Sequence, residues 1–236
     1  MKTDTLYLVP GLLCDEIVWQ DQIATLERNY DVRIPDLTTS SSIADMAALI
    51  LAQAPARFAI AGHSMGARVA LEVLAQAPKR VDRIALLDTG AHPAGPNEAP
   101  GRSKMLEISA NQGMRALADN WLPPMVMEGA LDRNPPLREA LYAMVERMSP
   151  TIHRNQIGAL LGRPDARPVL AMIDCPTLVG VGEHDRWSPP DQHRAMADAI
   201  PHAHYVVFPD SGHMAPMENP EAVTAAMVVW MTGEAD

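Results

Sequence analysis

One stretch constrains the fold more than any other. Phe58–Gly62 is a short apolar run that passes without a spacer through Gly62-His63-Ser64-Met65-Gly66 into Ala67–Ala77, a helix-like run halted before Pro78. A strand turning this tightly into a helix is half of a βα unit, and such units build parallel sheets. Five further apolar runs repeat the motif: Leu6–Pro10, Val32–Asp36, Ile84–Thr89, Thr177–Val181 and Tyr205–Phe208. Between them, Trp19, Ile23 and Leu26 fall at helical spacing, as do Ile43, Met46, Ala47, Ile50 and Leu51, so each helix offers one apolar face to a sheet. Asn219-Pro220-Glu221 supplies an N-cap, a proline at the first helical position and an acid in the first turn, opening a last helix through Met231. The expected fold is α/β, with a mostly parallel sheet of about six strands and helices on both faces.

The rhythm lapses in the middle. From about Ala91 to Asp174 a Pro/Gly-rich entry, Pro93–Gly101, precedes helical patches containing Met105, Leu106, Leu117, Met144 and Met148. This predicts a core of residues 1–90 and 175–236 interrupted by a helical cap insertion, 91–174. A chain of 236 residues can bury one core of this kind.

The Gly-His-Ser-Met-Gly turn carries chemistry as well as topology. Flanking glycines permit a crowded turn that lifts a serine hydroxyl off the sheet edge beside a helix N-terminus, which makes Ser64 a candidate nucleophile. A serine hydroxyl is weakly nucleophilic at neutral pH, so it requires a base, and the base requires an orienting acid. Loops after the last two apolar runs offer both: Glu183-His184-Asp185 and Asp210-Ser211-Gly212-His213. These loops lie at the carboxyl ends of strands, the rim where α/β sheets bind ligands. His213 is the candidate base. Asp185 is preferred as the acid over Glu183, Asp191, Asp210 and Asp88, each of which could instead cap a turn or helix, because it follows the penultimate strand. Met65, after the nucleophile, and Leu12, after the first strand, are the candidate backbone N–H donors to a developing oxyanion. Cys14 has no identifiable base beside it and reads as a buried structural thiol; His63 and His184 read as supporting or surface residues.

Together, Leu8–Leu26, Gly62–Gly66, Cys175–Pro189 and Ser211–Val223 resemble the α/β-hydrolase superfamily of esterases and lactonases. The Pro10-Gly11 turn, with Trp19 eight residues beyond Gly11, is similar to the small-cap branch that contains pimeloyl-carrier-protein methyl esterases and 3-oxoadipate enol-lactonases. The resemblance implies acyl transfer from a small ester or lactone through Ser64, with no metal or organic cofactor. Two departures stand out. Pro10 and Leu13 occupy the positions of the histidine and second glycine in the His-Gly-x-Gly oxyanion turn of many relatives, and the chain begins at the strand equivalent to the family's third. Serine rather than aspartate as nucleophile argues against halide displacement. A lyase, a perhydrolase and a slow-turnover receptor are the other activities open to this arrangement.

Composition narrows the partners. A net charge of −10, from 19 basic and 29 acidic residues, disfavours a nucleic-acid partner. The N-terminal apolar stretch is too short and too broken for a signal peptide or membrane span, and two cysteines make no disulfide framework, so a cytoplasmic enzyme acting on a small acyl substrate is expected. Trp121, Trp187 and Met214 are candidate pocket residues, and Met114, Met125, Met127, Met144 and Met148 offer either an adaptable apolar pocket or ordinary core. The sequence carries no mark of oligomeric state.

Overall fold

The computed structural model describes residues 4–233. Six parallel strands form one sheet: β1 (Thr5–Val9), β2 (Asp31–Arg33), β3 (Phe58–His63), β4 (Val81–Leu87), β5 (Thr177–Gly182) and β6 (His204–Phe208), in the order β2-β1-β3-β4-β5-β6. Every residue of β1, β3 and β5 is buried, as expected of strands covered on both faces, and this is why they read as continuous apolar runs. The two edge strands are more exposed.

Two strands end two or more residues earlier than the apolar runs imply. β2 stops at Arg33 rather than Asp36, because Pro35 has no N–H to give a ladder. β4 starts at Val81 and stops at Leu87, where Asp88 turns into the left-handed region with φ 48°.

The covering helices are α1 (Gln20–Leu26), α2 (Ile43–Gln53) and α3 (Met65–Gln76); α4 (Glu98–Trp121), α5 (Ala130–Arg133), α6 (Pro135–Glu146), α7 (Pro150–Leu161) and α8 (Arg167–Leu170) between β4 and β5; then α9 (Pro190–Asp198), α10 (Ala215–Glu218) and α11 (Pro220–Thr232). α1 packs with α11, and α2 with α3. Their starts are written in the sequence. Ser42, Asn134, Ser149 and Asn219 each cap a helix by accepting a backbone N–H, the last three with proline at the first helical position. Gly113, at φ 87°, breaks α4 into two segments.

The chain runs from β1 outward to β2 and then back across β1 to β3, so the sheet reverses its winding between β1 and β3. The loops leaving these two strands therefore diverge at a topological switch point, where open α/β sheets hold ligands. Leu12 and Ser64 sit on those loops.

Candidate active site

Ser64 joins β3 to α3 with φ 54° and ψ −114°, a conformation a non-glycine residue adopts only when its surroundings enforce it. The enforcement is visible. A Cβ on Gly62 would overlap the Ala67 backbone, and one on Gly66 would overlap the carbonyl oxygens of Val9 and Pro10, so both flanks must be glycine for β3, the turn and α3 to approach this closely. The Ser64 amide donates to the Leu87 carbonyl at 2.8 Å, and Thr89 Oγ1 donates to the Ser64 carbonyl at 2.8 Å, fixing the turn against the end of β4.

The structure brings three of the sequence-selected residues into one line. His213 Nε2 lies 2.8 Å from Ser64 Oγ, and His213 Nδ1 lies 2.8 Å from Asp185 Oδ2. Asp185 is 2% exposed. Its Oδ1 accepts the amides of Trp187 and Ser188 at 2.8 and 2.9 Å, and its Oδ2 also accepts the Ser188 hydroxyl at 2.9 Å. Burial opposes ionisation of this carboxyl, but the charge and hydrogen bond of His213 together with the Ser188 donors outweigh it and hold the group below its ordinary value.

Of the competing acids, Asp88 is fully buried, accepts the Gly182 amide on Oδ1 at 2.9 Å, and lies 3.9 Å from His63 rather than against His213. Burial first, and then the charge of Asp185, push the Asp88 carboxyl well above its ordinary value. His63 is buried too, with Nε2 donating to the His213 carbonyl at 2.7 Å; burial and then the His213 charge lower it to about 3, so it stays a neutral donor. His184 is exposed.

Leu12 and Met65 both line the cleft above Ser64, and neither amide has an acceptor among the described residues. Leu13, next along, is at φ 58° with its amide tied to Gln156 Oε1 at 2.9 Å, which turns the loop so that the Leu12 N–H remains unspent. Cys14 is buried and gives its thiol to the Leu12 carbonyl; burial raises its pKa, with the Asp15 charge adding to the effect.

The cleft has a volume of about 290 Å³. Trp121 lines it, and Trp187 stands at its mouth, 54% exposed, with the Arg102 guanidinium 5.8 Å from its ring centre. Met214 does not line it: the residue after His213 starts the turn into α10, and its side chain is fully buried in the core. Met125 is a lining residue, whereas Met114 and Met144 are core and Met148 borders a neighbouring apolar pocket.

Several polar neighbours were not legible in the sequence. Ser188 touches both Asp185 and His213, the latter at 3.3 Å. Glu218 accepts the amides of Gly212, Met214 and Met127, and so ties the loop carrying His213 to the β4–β5 connection. Arg68, Arg102, Arg163 and Glu98 also line the cleft. Only Arg68 left a local signal, since four residues after Ser64 on a helix is the same face. No group of three His, Cys, Asp or Glu side chains is arranged to hold a metal ion among the described residues, and none of their helices is long and apolar enough to cross a membrane.

A sequence model described as the Alpha/beta hydrolase family matches residues 6–226. The chain belongs to that family. This hydrolase is 29% identical to a putative non-heme bromoperoxidase of Mycobacterium tuberculosis, over 81% of this chain and 74% of that protein. It is 24% identical to a pimeloyl-[acyl-carrier protein] methyl ester esterase of Pectobacterium carotovorum, over 95% and 93%. Among solved structures, the hydrolase is similar to a thermophilic esterase from Thermogutta terrifontis, with a TM-score of 0.89, 27% identity and coverage of 98% of this chain and 90% of that one.

Proposed function

We propose that the protein is a serine hydrolase that cleaves a small carboxylic ester or lactone through an acyl-enzyme on Ser64. The observation that carries this reading is the unbroken relay Ser64 Oγ, His213 Nε2, His213 Nδ1, Asp185 Oδ2, with both links at 2.8 Å. His213 accepts the Ser64 proton as the hydroxyl oxygen attacks the acyl carbonyl, and Asp185 balances the imidazolium that forms. The carbonyl oxygen, now negative, receives the amides of Leu12 and Met65. His213 returns the proton to the departing alkoxide, leaving the acyl group on Ser64; water then repeats the sequence and releases the acid. The segment 91–174 acts as the cap, since Trp121, Met125 and Leu160 from it line the cleft.

The likeness to a putative non-heme bromoperoxidase favours one second reading, in which hydrogen peroxide instead of water takes the acyl group and a peracid leaves. Both readings share the acyl-enzyme. The test is hydrolysis of p-nitrophenyl acetate, butyrate and octanoate by the wild type and Ser64→Ala, with acylated Ser64 sought by mass spectrometry and peracid assayed in peroxide. Turnover lost in the variant is expected; turnover unchanged in Ser64→Ala overturns the mechanism.

A further inference from the structure

The cleft carries an electrostatic feature that ester hydrolysis alone does not use. The chain as a whole is acidic, at −10, yet the guanidiniums of Arg68, Arg102 and Arg163 line this one cleft, and among the described residues Glu98 is the one carboxylate that ion-pairs with any of them. Asp88, also a lining residue, has its carboxyl pushed above its ordinary value, by burial first, and it makes no ion pair with these arginines among the described residues.

The three arginines are not equivalent. Arg163 is saturated: its donors go to both Glu98 carboxylate oxygens and to the carbonyls of His92, Pro93 and Leu160, which ties the start of α4 to the end of α7. Arg102 reaches Glu98 Oε1 through Nε and Nη2, leaving Nη1 uncommitted. Arg68 makes no ion pair with a carboxylate among the described residues; Nη1 donates to the His92 carbonyl at 2.8 Å, Nη2 meets His92 Nδ1 at 3.3 Å, and Nε has no hydrogen-bond partner among them. Glu98 is already held between two guanidiniums, so a second anion is the missing element. Arg68 lies in the first turn of α3, four residues after Ser64, and lines the same cleft as Ser64.

We propose that the cleft takes a substrate bearing a free carboxylate besides the ester or lactone attacked by Ser64, and that Arg68 and Arg102 receive that carboxylate. The inference rests on the acyl-transfer reading and narrows its substrate class. Guanidinium suits this task because its planar fork matches a carboxylate with two parallel donors. Burial, and then the Arg163 charge, lower Arg68 to about 9, which leaves the guanidinium charged at pH 7. The carboxylate is bound and not transformed, so hydrolysis keeps its ordinary balance of one ester and one water giving one acid and one alcohol.

The test compares matched pairs. Monomethyl glutarate against methyl pentanoate puts the carboxylate on the acyl side; O-acetylglycolate against propyl acetate puts it on the leaving group. The wild type is expected to favour the charged member of one pair by about tenfold or more in kcat/KM, and Arg68→Gln to lower that ratio about tenfold, with Arg68→Lys intermediate. The pair that responds identifies the side. Calorimetric binding of glutarate, which needs no acyl transfer, separates the two readings: Arg68-dependent glutarate binding without ester turnover leaves the carboxylate site standing while Ser64 chemistry falls. Charged and neutral members turned over equally by the wild type, or a preference that survives Arg68→Gln unchanged, overturns the inference.

Discussion

Replacing Asp185 by asparagine tests the relay most sharply, because the structure dictates how the new amide must sit. Asp185 Oδ1 is fixed by the Trp187 and Ser188 amides, so the asparagine carbonyl is held there; turning it over would set an NH2 against two N–H donors, at about 1–3 kcal/mol for each donor left unpaired. The NH2 therefore takes the Oδ2 position, 2.8 Å from His213 Nδ1, and donates to it. His213 is then protonated on Nε2, with that proton facing Ser64 Oγ and no lone pair to receive another. Loss of the base and of the compensating charge is expected to lower kcat for p-nitrophenyl butyrate by about 10³–10⁴-fold, or about 4–5.5 kcal/mol of barrier. The fold is expected to survive, since both backbone donors keep their acceptor, and a circular-dichroism melt within a few degrees of the wild type is the control. A kcat for Asp185→Asn within tenfold of the wild type would refute the assignment of Asp185 and return Asp88 and the other acids to consideration.

Glu218→Ala removes the shared acceptor of three partly buried amides around the His213 loop, so urea denaturation is expected to report a loss of about 2–4 kcal/mol together with a reduced kcat; unchanged stability and kcat would dismiss the clamp. His63, His153 and His193 are buried with pKa values lowered by burial to about 3, 4 and 4, so the unfolded chain binds protons that the native state refuses. Their contribution to stability is present above the unfolded value near 6.5 and is lost as pH falls toward the folded values, on the order of 5 kcal/mol between about pH 7 and 4.5; a urea midpoint that stays flat over that range contradicts this. Cys14, buried and with its thiol pKa raised, is expected to resist iodoacetamide in the native protein and to react after unfolding, and rapid native labelling would revive it as a nucleophile.

What could be read from the chain alone was what is encoded locally. Apolar runs covered on both faces announced β1, β3 and β5; Asn219-Pro220-Glu221 announced α11; two glycines around Ser64 announced a turn that no side chain could enter. The loops holding Asp185 and His213 were legible as strand ends, because a parallel sheet sends all such ends to one rim. The nearness of the two residues to Ser64 was not, since it depends on the order β3-β4-β5-β6 and its register. The β4–β5 connection was the least readable part, and there packing decided what pattern could not. Met214 turned into the core, Met114 and Met144 served packing rather than the cleft, and Arg68, Arg102 and Arg163 met from α3, α4 and the second residue after α7. An arginine's partner is whatever the folded chain carries to within a few ångströms of its guanidinium, and that meeting is fixed only when whole helices dock. Helical and strand periods record which face of an element is buried; they hold no record of which distant element will cover it.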